Sequence, residues 1–366
     1  MPHLFDPLAI GPVHAPNRIA IAPMCQYSSN DGCASDWHLQ HIPMMAMSGA
    51  GLVILEATGV ERAGRITHGC LGLYSDDNER ALRRALEAAK AVALPGTLFG
   101  VQLAHAGRKA SSQIPWKGGS WLRPDEDPWR TSAPVAEPFA EGWPVPVALD
   151  DAGVQRLIDS FAEAAGRAAR IGFDVIELHM AHGYLMHEFL SPLVNRRSDK
   201  WGELSRFPLE VGRAVAAAIP KTMAWGARIT GSDWIEGGIT PVDAARFAGE
   251  LRRAGAHFVD VSSGSVSPQA RVQIGPGYQV PFAAEVKRAN PDLVVSAVGL
   301  IVDAQQADGI VSSGQADQIA IGRGALDDPR WGWRAAEKLG VEITRPPQYA
   351  RTAPKLWPGA ALIRPA

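Results

Sequence analysis

Cysteine is scarce in this chain. Cys25, Cys33 and Cys70 are the three present in 366 residues, too few and too scattered for a disulfide framework or a structural zinc site, and they imply a reducing, cytoplasmic setting. An excess of one charge is missing too. Lys and Arg number 36 against 38 Asp and Glu, a formal net charge of −2, which gives no electrostatic reason to expect nucleic acid or an anionic membrane as partner. Long apolar runs are absent: the most apolar stretch, MMAMSGAGLVILEA, is too short and too glycine-punctuated to span a bilayer. The first residues, MPHLFDPLAIGPVHAPNR, lack a basic n-region and are broken by proline, so no signal peptide is expected. No apolar run carries a G-x-G-x-x-G turn placed to open a dinucleotide-binding helix, and internal repeats and low-complexity tracts are lacking.

What is present is an ordinary soluble composition, 46% apolar and 20% charged, long enough for one barrel-sized domain or two smaller ones. Eight short apolar runs recur: 18–24, 51–57, 96–107, 173–179, 222–229, 257–263, 293–299 and 318–324. Their β-branched content and length predict buried parallel strands. Between them lie helical patterns. Residues 75–92 start at a capping serine with an acidic first turn, and 150–172 end on a glycine. Residues 240–256 open Thr-Pro, and 302–314 carry a weaker pattern. Eight strands alternating with helices predict an α/β fold, a single-domain (β/α)₈ TIM barrel, with a doubly wound sheet as the rival. Two segments stand outside the alternation. The Pro- and Trp-rich stretch 111–148 after strand three is predicted to cap the barrel mouth. The tail 345–366 mixes proline with aromatic and aliphatic residues, as expected of an ordered segment packed on a neighbouring surface, a second subunit included.

Chemistry in such a barrel belongs at the carboxyl ends of the strands. Those ends offer Cys25, Gln26 and Tyr27; Glu56 and Ala57; Gln102 and His105; His179, His182 and Tyr184; Arg228; Ser262 to Gly264; Gly299; and Gly322 with Arg323. In IELHMAHGYL (176–185) the two histidines stand three apart. A zincin-type site would want His at i and i+4 around a glutamate, whereas Met180 and Ala181 intervene and the nearest carboxylate, Glu177, precedes His179. Three readings stay open on these residues: a metal site, structural histidines, or two N–H donors converging on one oxygen with Tyr184 as a proton donor, as reactions through an enolate require. Gly299, Gly322 and Arg323, at the ends of strands seven and eight, are either tight turns or a phosphate grip. Arg228 needs an anionic partner; with Gln102 it suits a flat heterocycle that gathers negative charge, and a salt bridge to Glu56 is the competing reading. Cys25 is either packing or a reactive thiol.

The segments NRIAIAPMCQYSS, LEATGVERAGRIT, GVQLAHAGRKAS, GFDVIELHMAHGYLMHEFLSPLVNRRSDKWG, PGYQVPFA, AVGLI, IGRGALDDPRW and RPPQYAR, in that order, resemble the Old Yellow Enzyme family of FMN-dependent ene-reductases, in its thermophilic-like bacterial subclass. The resemblance implies a bound FMN, NADPH or NADH as hydride donor, and activated alkenes as substrates. By position, His179 and His182 would hold the substrate oxygen, Tyr184 would protonate the α-carbon, and Tyr27 would contact the ligand. Pro23, Met24, Cys25, Ala57, Gln102 and Arg228 would hold the isoalloxazine, with Cys25 modulating its potential; Gly299, Gly322 and Arg323 would grip the phosphate. Arg351 in QYAR would reach a neighbouring subunit's site in a homodimer or homotetramer. The chain departs from the family in a short 202–206 loop, in the long 111–148 connection, and in the residues that follow Arg351. The rival functions are a flavin-free, phosphate-binding barrel lyase or aldolase, for which no lysine ends a predicted strand, and a non-catalytic FMN-binding redox protein. Larger flavin relatives with an iron–sulfur cysteine cluster are disfavoured by the cysteine count.

Overall fold

In a computed structural model that describes residues 1–363, eight parallel strands close into a barrel. They are β1 (Ile19–Ile21), β2 (Leu52–Gly59), β3 (Leu98–Ala104), β4 (Val175–Met180), β5 (Ala224–Thr230), β6 (Phe258–Ser262), β7 (Val294–Val298) and β8 (Gln318–Ile321). Each pairs with its successor, and β8 returns to β1. The eight predicted runs are therefore the eight barrel strands, trimmed at their ends, and the doubly wound alternative falls. Among the described residues no helix is long and apolar enough to cross a membrane.

The helices that follow the strands in turn are α1 (Asp36–Ala46), α2 (Asp76–Lys90), α3 (Asp151–Ile171), α4 (Arg206–Ala218), α5 (Pro241–Arg253), α6 (Val280–Ala289), α7 (Ala304–Ser312) and α8 (Trp331–Lys338). The predicted caps are used: Ser75 accepts from the Asn78 N–H, Thr240 from the Asp243 N–H, and Gly172 ends α3 at φ 98°. The sequence reading did not name α1, α4, α6 or α8. The first three each contain a proline, Pro43, Pro208 or Pro281. The last two stand in a first turn, where a missing N–H breaks no intrahelical bond.

Both faces of every strand are buried, but they face different cores. Ile19, Ile21, Val53, Phe99, Val101, Ile176, Leu178, Trp225, Val259, Val295 and Ile319 point out to the helices. Ala20, Leu52, Ile54, Val175, Ala224, Phe258 and Ala320 point inward, where the hairpin Leu8–Ile10/Val13–Ala15 packs on them. This hairpin closes the amino-terminal end of the barrel, so access is left at the other end.

Residues 111–148 contain three-residue 3₁₀ turns and a two-residue ladder of Ser132–Ala133 with Val147–Ala148. The Arg197 guanidinium ties the segment down through the carbonyls of Pro134 and Leu149, at 2.7 and 2.5 Å. The short 202–206 loop borders a cavity of about 270 Å³ walled by Leu190, Leu204, Ile239 and Phe247. In the tail, Arg345 and Tyr349 pack on Trp333 of α8, Tyr349 also against Arg330; residues 364–366 of the predicted tail are outside the described residues.

The closeness of β5 to β6 depends on Gly226. A Cβ there would sit 2.3 Å from the Phe258 carbonyl oxygen. Gly226→Ala should cost about 1–3 kcal/mol, the usual scale of overpacking. Urea denaturation checks this, and an unchanged midpoint would contradict so tight an approach.

Candidate active site

One polar layer crosses the barrel interior. The Arg228 guanidinium on β5 donates from Nε to Glu177 Oε1 (3.0 Å), from Nη2 to Asp260 Oδ2 (2.7 Å) and from Nη1 to Ser262 Oγ (2.9 Å). The Gln102 side-chain amide donates to the same Glu177 oxygen at 2.6 Å. Four adjacent strands, β3 to β6, are thus cross-linked from within. Every member is buried, so each charge needs its partner. Burial pushes the Asp260 carboxyl up despite Arg228, with Glu177 adding to the rise.

Arg228 does not pair with Glu56, which corrects one of the sequence alternatives. A bulge between Leu55 and Ala57 shifts the β2 register. Glu56 turns to α1 instead: Oε1 lies 3.1 Å from His38 Nε2, and Oε2 accepts the Gln26 N–H. His105 also leaves the candidate set. Its Nε2 lies 3.0 Å from Glu61 Oε1 and its Nδ1 accepts the Gly107 N–H, a tether between the loops after β2 and β3.

Directly above the polar layer stands His179, in register with Arg228 on the neighbouring strand. Its Nδ1 accepts the Ala181 N–H at 3.3 Å, which places the ring proton on Nε2. That nitrogen is 3.3 Å from His182 Nδ1, and the Tyr184 ring stands edge-on to His179 at 4.9 Å. Two residues in the left-handed region, His182 (φ 60°) and Gly183 (φ 70°), fold the loop back so that the three rings meet. Gly183 is obligatory, because a Cβ would lie 2.2 Å from the Ser265 carbonyl oxygen of the β6 loop. Desolvation, reinforced by Arg228 and Lys109, holds both imidazoles neutral and pushes His182 down to about 3. Burial pushes the Tyr184 phenol well above its ordinary range. The site therefore presents neutral N–H donors and a protonated phenol at neutral pH. Among the described residues no group of three or more His, Cys, Asp or Glu converges as a metal site would.

The remaining assigned residues divide by place. Cys25 and Tyr27 follow β1; a hydrogen bond with Cys70 and burial raise the Cys25 thiol, so it is uncharged. Tyr27, at φ 52°, packs edge-on to Trp116 of the 111–148 segment at 5.7 Å. Ala57 stands beside Gln102 in the β2–β3 register. Gly299 (φ 118°) follows β7, while Gly322 and the exposed Arg323 follow β8. Pro23 and Met24 are half-buried between β1 and Cys25. Arg351 is exposed in the turn Pro347–Thr352 of the tail.

Three side chains that the sequence reading passed over support the loop. His187 Nδ1 accepts the Gly183 N–H at 2.8 Å, and its Nε2 lies 2.9 Å from Asp233 Oδ1, both fully buried. Lys109 Nζ donates to the His182 carbonyl at 2.8 Å. Neither His187 nor Lys109 stands at a strand end, and Asp233 is three residues beyond β5; the signal that could have found them is a charged or imidazole side chain in an otherwise apolar stretch such as LMHEFL.

These residues fit an FMN. Glu177 Oε2, Asp260 Oδ1, Ser296 Oγ and Gln318 Nε2 are buried without a hydrogen-bond partner in the chain; register links Asp260, Ser296 and Gln318 into one row from β6 to β8, and Glu177 joins it through Arg228. A ring system with donor and acceptor edges and a polyol chain is the kind of group such a row would complete. Gly299 and Gly322, with the Arg323 guanidinium, are placed at the ends of β7 and β8 where this fold binds phosphate.

Residues 3–342 match the model of the NADH:flavin oxidoreductase / NADH oxidase family. An NADPH dehydrogenase of Geobacillus thermodenitrificans is 39% identical over 354 residues, 95% of this chain and 98% of that protein. One from Listeria monocytogenes is 38% identical over 357 residues, covering 96% and 99%. Among solved structures, morphinone reductase aligns at 27% identity and TM-score 0.74 over 95% of this chain and 92% of that one. The Old Yellow Enzyme homologue of Zymomonas mobilis aligns at 25% identity and TM-score 0.75, covering 94% of each.

Neutral buried histidines make stability depend on pH. Below about 6.5, the ordinary histidine value, the unfolded chain takes up protons that folded His179 and His182 refuse. Their contribution is present above that pH and is lost as pH falls towards about 3 for His182. A His179→Asn/His182→Asn variant should lose less stability than the native chain between pH 7 and 5. Chemical denaturation at several pH values measures this; identical slopes would mean the pair is not held neutral.

Proposed function

The chain belongs to the NADH:flavin oxidoreductase / NADH oxidase family, as an FMN-dependent oxidoreductase of the Old Yellow Enzyme group with NADPH dehydrogenases among its relatives; on that premise we propose that it reduces the carbon–carbon double bond of α,β-unsaturated carbonyl or nitro compounds. The observation that carries this reading is the meeting of two neutral imidazoles, 3.3 Å apart, with the ring of a protonated tyrosine 4.9 Å from His179.

FMN, when bound, supplies hydride relay between NADPH or NADH and the β-carbon of the alkene. The protein's part is orientation and charge. The His179 and His182 N–H groups bind the carbonyl or nitro oxygen, fix the alkene over the ring, and stabilise the negative charge that grows on that oxygen as the β-carbon accepts hydride. Neutral donors suit this role, because an N–H can be given to the oxyanion without losing the proton. Tyr184 keeps its proton until the α-carbon needs it, then delivers it there. The Arg228 guanidinium holds a positive charge below the site that would favour the negative charge a reduced flavin gathers. Gln102, Ala57, Pro23, Met24 and Cys25 would seat its ring system, and Gly299, Gly322 and Arg323 would hold its phosphate. Tyr27 lines the substrate side. Arg351 reaches the site of a second subunit in a homodimer or homotetramer.

The purified protein should be yellow and should bleach anaerobically with NADPH. Cyclohexenone should then restore the colour while cyclohexanone does not. A colourless protein that takes up no added FMN, or reoxidation by both ketones alike, would overturn the reading. Tyr184→Phe should slow the cyclohexenone step by about 10²–10⁴-fold, the usual worth of a general acid, and leave bleaching by NADPH within a few-fold. Stopped-flow absorbance at the flavin band separates the two steps.

A further inference from the structure

Lys109 ends the 3₁₀ turn Gly107–Lys109 after β3, and its ammonium sits among groups from three other segments of the chain. Nζ donates to the carbonyls of His182 (2.8 Å), in the β4 loop, and Ser265 (3.1 Å), in the β6 loop. It also lies 5.1 Å above the Tyr184 ring and 4.9 Å from the ring of Phe139, which belongs to the 111–148 segment. The two carbonyls take two of its three donors.

We propose that Lys109 is a positioning residue for proton delivery by Tyr184: it fastens the loop that carries His182 and Tyr184 to the β6 loop, and sets a fixed cation against the phenol as that phenol gives up its proton. The inference rests on the alkene-reducing function proposed above. The argument has two parts. First, the His182–Gly183 pair holds left-handed backbone that two anchors over-determine: the Gly183 N–H on His187 from one side and the His182 carbonyl on Lys109 from the other. Removing the ammonium leaves that carbonyl without this donor and frees the loop's outer half. Second, transfer of the Tyr184 proton to carbon breaks the O–H bond, forms a C–H bond and leaves a phenolate. A cation over the ring favours phenolate over phenol, and it does so in a half-buried place, where the interaction is less screened than in bulk water. Burial raises the cost of phenolate here, so a resident positive charge is what the transfer needs.

The charged and titratable groups around Lys109 are few. Arg108 precedes it; Glu188, from the short helix Leu185–Leu190, faces it; His179, His182 and Tyr184 lie on the β4 side. The β6 loop and Phe139 present a carbonyl and an uncharged ring. Desolvation pulls the Lys109 ammonium down to about 8, and burial pushes the Glu188 carboxyl up to about 8. The histidines titrate far below this range and Tyr184 far above it. An alkaline fall in proton delivery near pH 8 therefore belongs to Lys109 or to Glu188, and variants of each tell them apart.

The test measures both half-reactions of the FMN-loaded enzyme from pH 6 to 10 for the native chain, Lys109→Met, Lys109→Arg and Glu188→Gln. In the native enzyme and in Glu188→Gln, flavin reoxidation by cyclohexenone should decline above about pH 8. Lys109→Arg should stay active to the top of the range, because its guanidinium keeps its charge. Lys109→Met should be about 10–100-fold slower throughout, with no limb near 8, while its reduction by NADPH changes little. Hydrogen exchange, read on the peptide containing Gly183 and Tyr184, should quicken at least tenfold in Lys109→Met and be restored in Lys109→Arg. An alkaline limb that persists in Lys109→Met, equal slowing of both half-reactions, or unchanged exchange would each overturn the proposal. Should the native enzyme reduce no alkene, the proposed function fails, and exchange still decides whether Lys109 fastens the loop.

Discussion

A single arginine holds two carboxylates inside the barrel, and everything above it is built on that ion cluster. Arg228 reaches Glu177 on one neighbouring strand and Asp260 on the other, while Gln102 extends the link to β3. Removing any one charge would leave the others buried and uncompensated, a far larger loss than the net worth of the pair. The cluster therefore adds side-chain cross-links from β3 to β6 to those of the backbone ladder. His179 stands two residues beyond Glu177, Thr230 two beyond Arg228 and Ser262 two beyond Asp260, so strand periodicity carries this registration up to the rim.

Above that platform the chain leaves regular structure, and the precision of the site passes to loop anchors. The turn through His182 and Gly183 uses backbone that side chains disfavour. It is held by His187, itself against Asp233, and by Lys109. These supports come from the β3, β4 and β5 loops. The rings of His179, His182 and Tyr184 thus occupy positions set by three separate parts of the chain, and none of the supports has to touch a substrate. Charge follows the same division: a permanent cation below, neutral donors at the rim, and a second cation beside the phenol.

The barrel was legible in the sequence because its signal is local and repeated. Each strand is a short apolar run closed by glycine or a polar residue, and a helix of right length follows. Helices with proline inside or in the first turn, α1, α4 and α6, were harder to see, since proline also marks loops. At the rim the strand-end rule collected His179, His182, Tyr184, Gln102 and Arg228 together. It also collected Glu56 and His105, which face elsewhere. A one-residue bulge rotates Glu56 away, and a local tether with Glu61 occupies His105; neither leaves a mark that composition or periodicity can register.

Residue order was enough to specify the family, the (β/α)₈ architecture and the set of chemical groups gathered at one end of the barrel, because strand period and strand ends are properties of neighbours along the chain. Partnership across space was not. That Arg228 chooses Glu177 and Asp260 over Glu56, and that Lys109 crosses to the carbonyls of His182 and Ser265, both depend on residues tens to more than a hundred and fifty positions apart. Such contacts exist only once the sheet has closed and its loops lie side by side, and burial there sets which groups keep their protons.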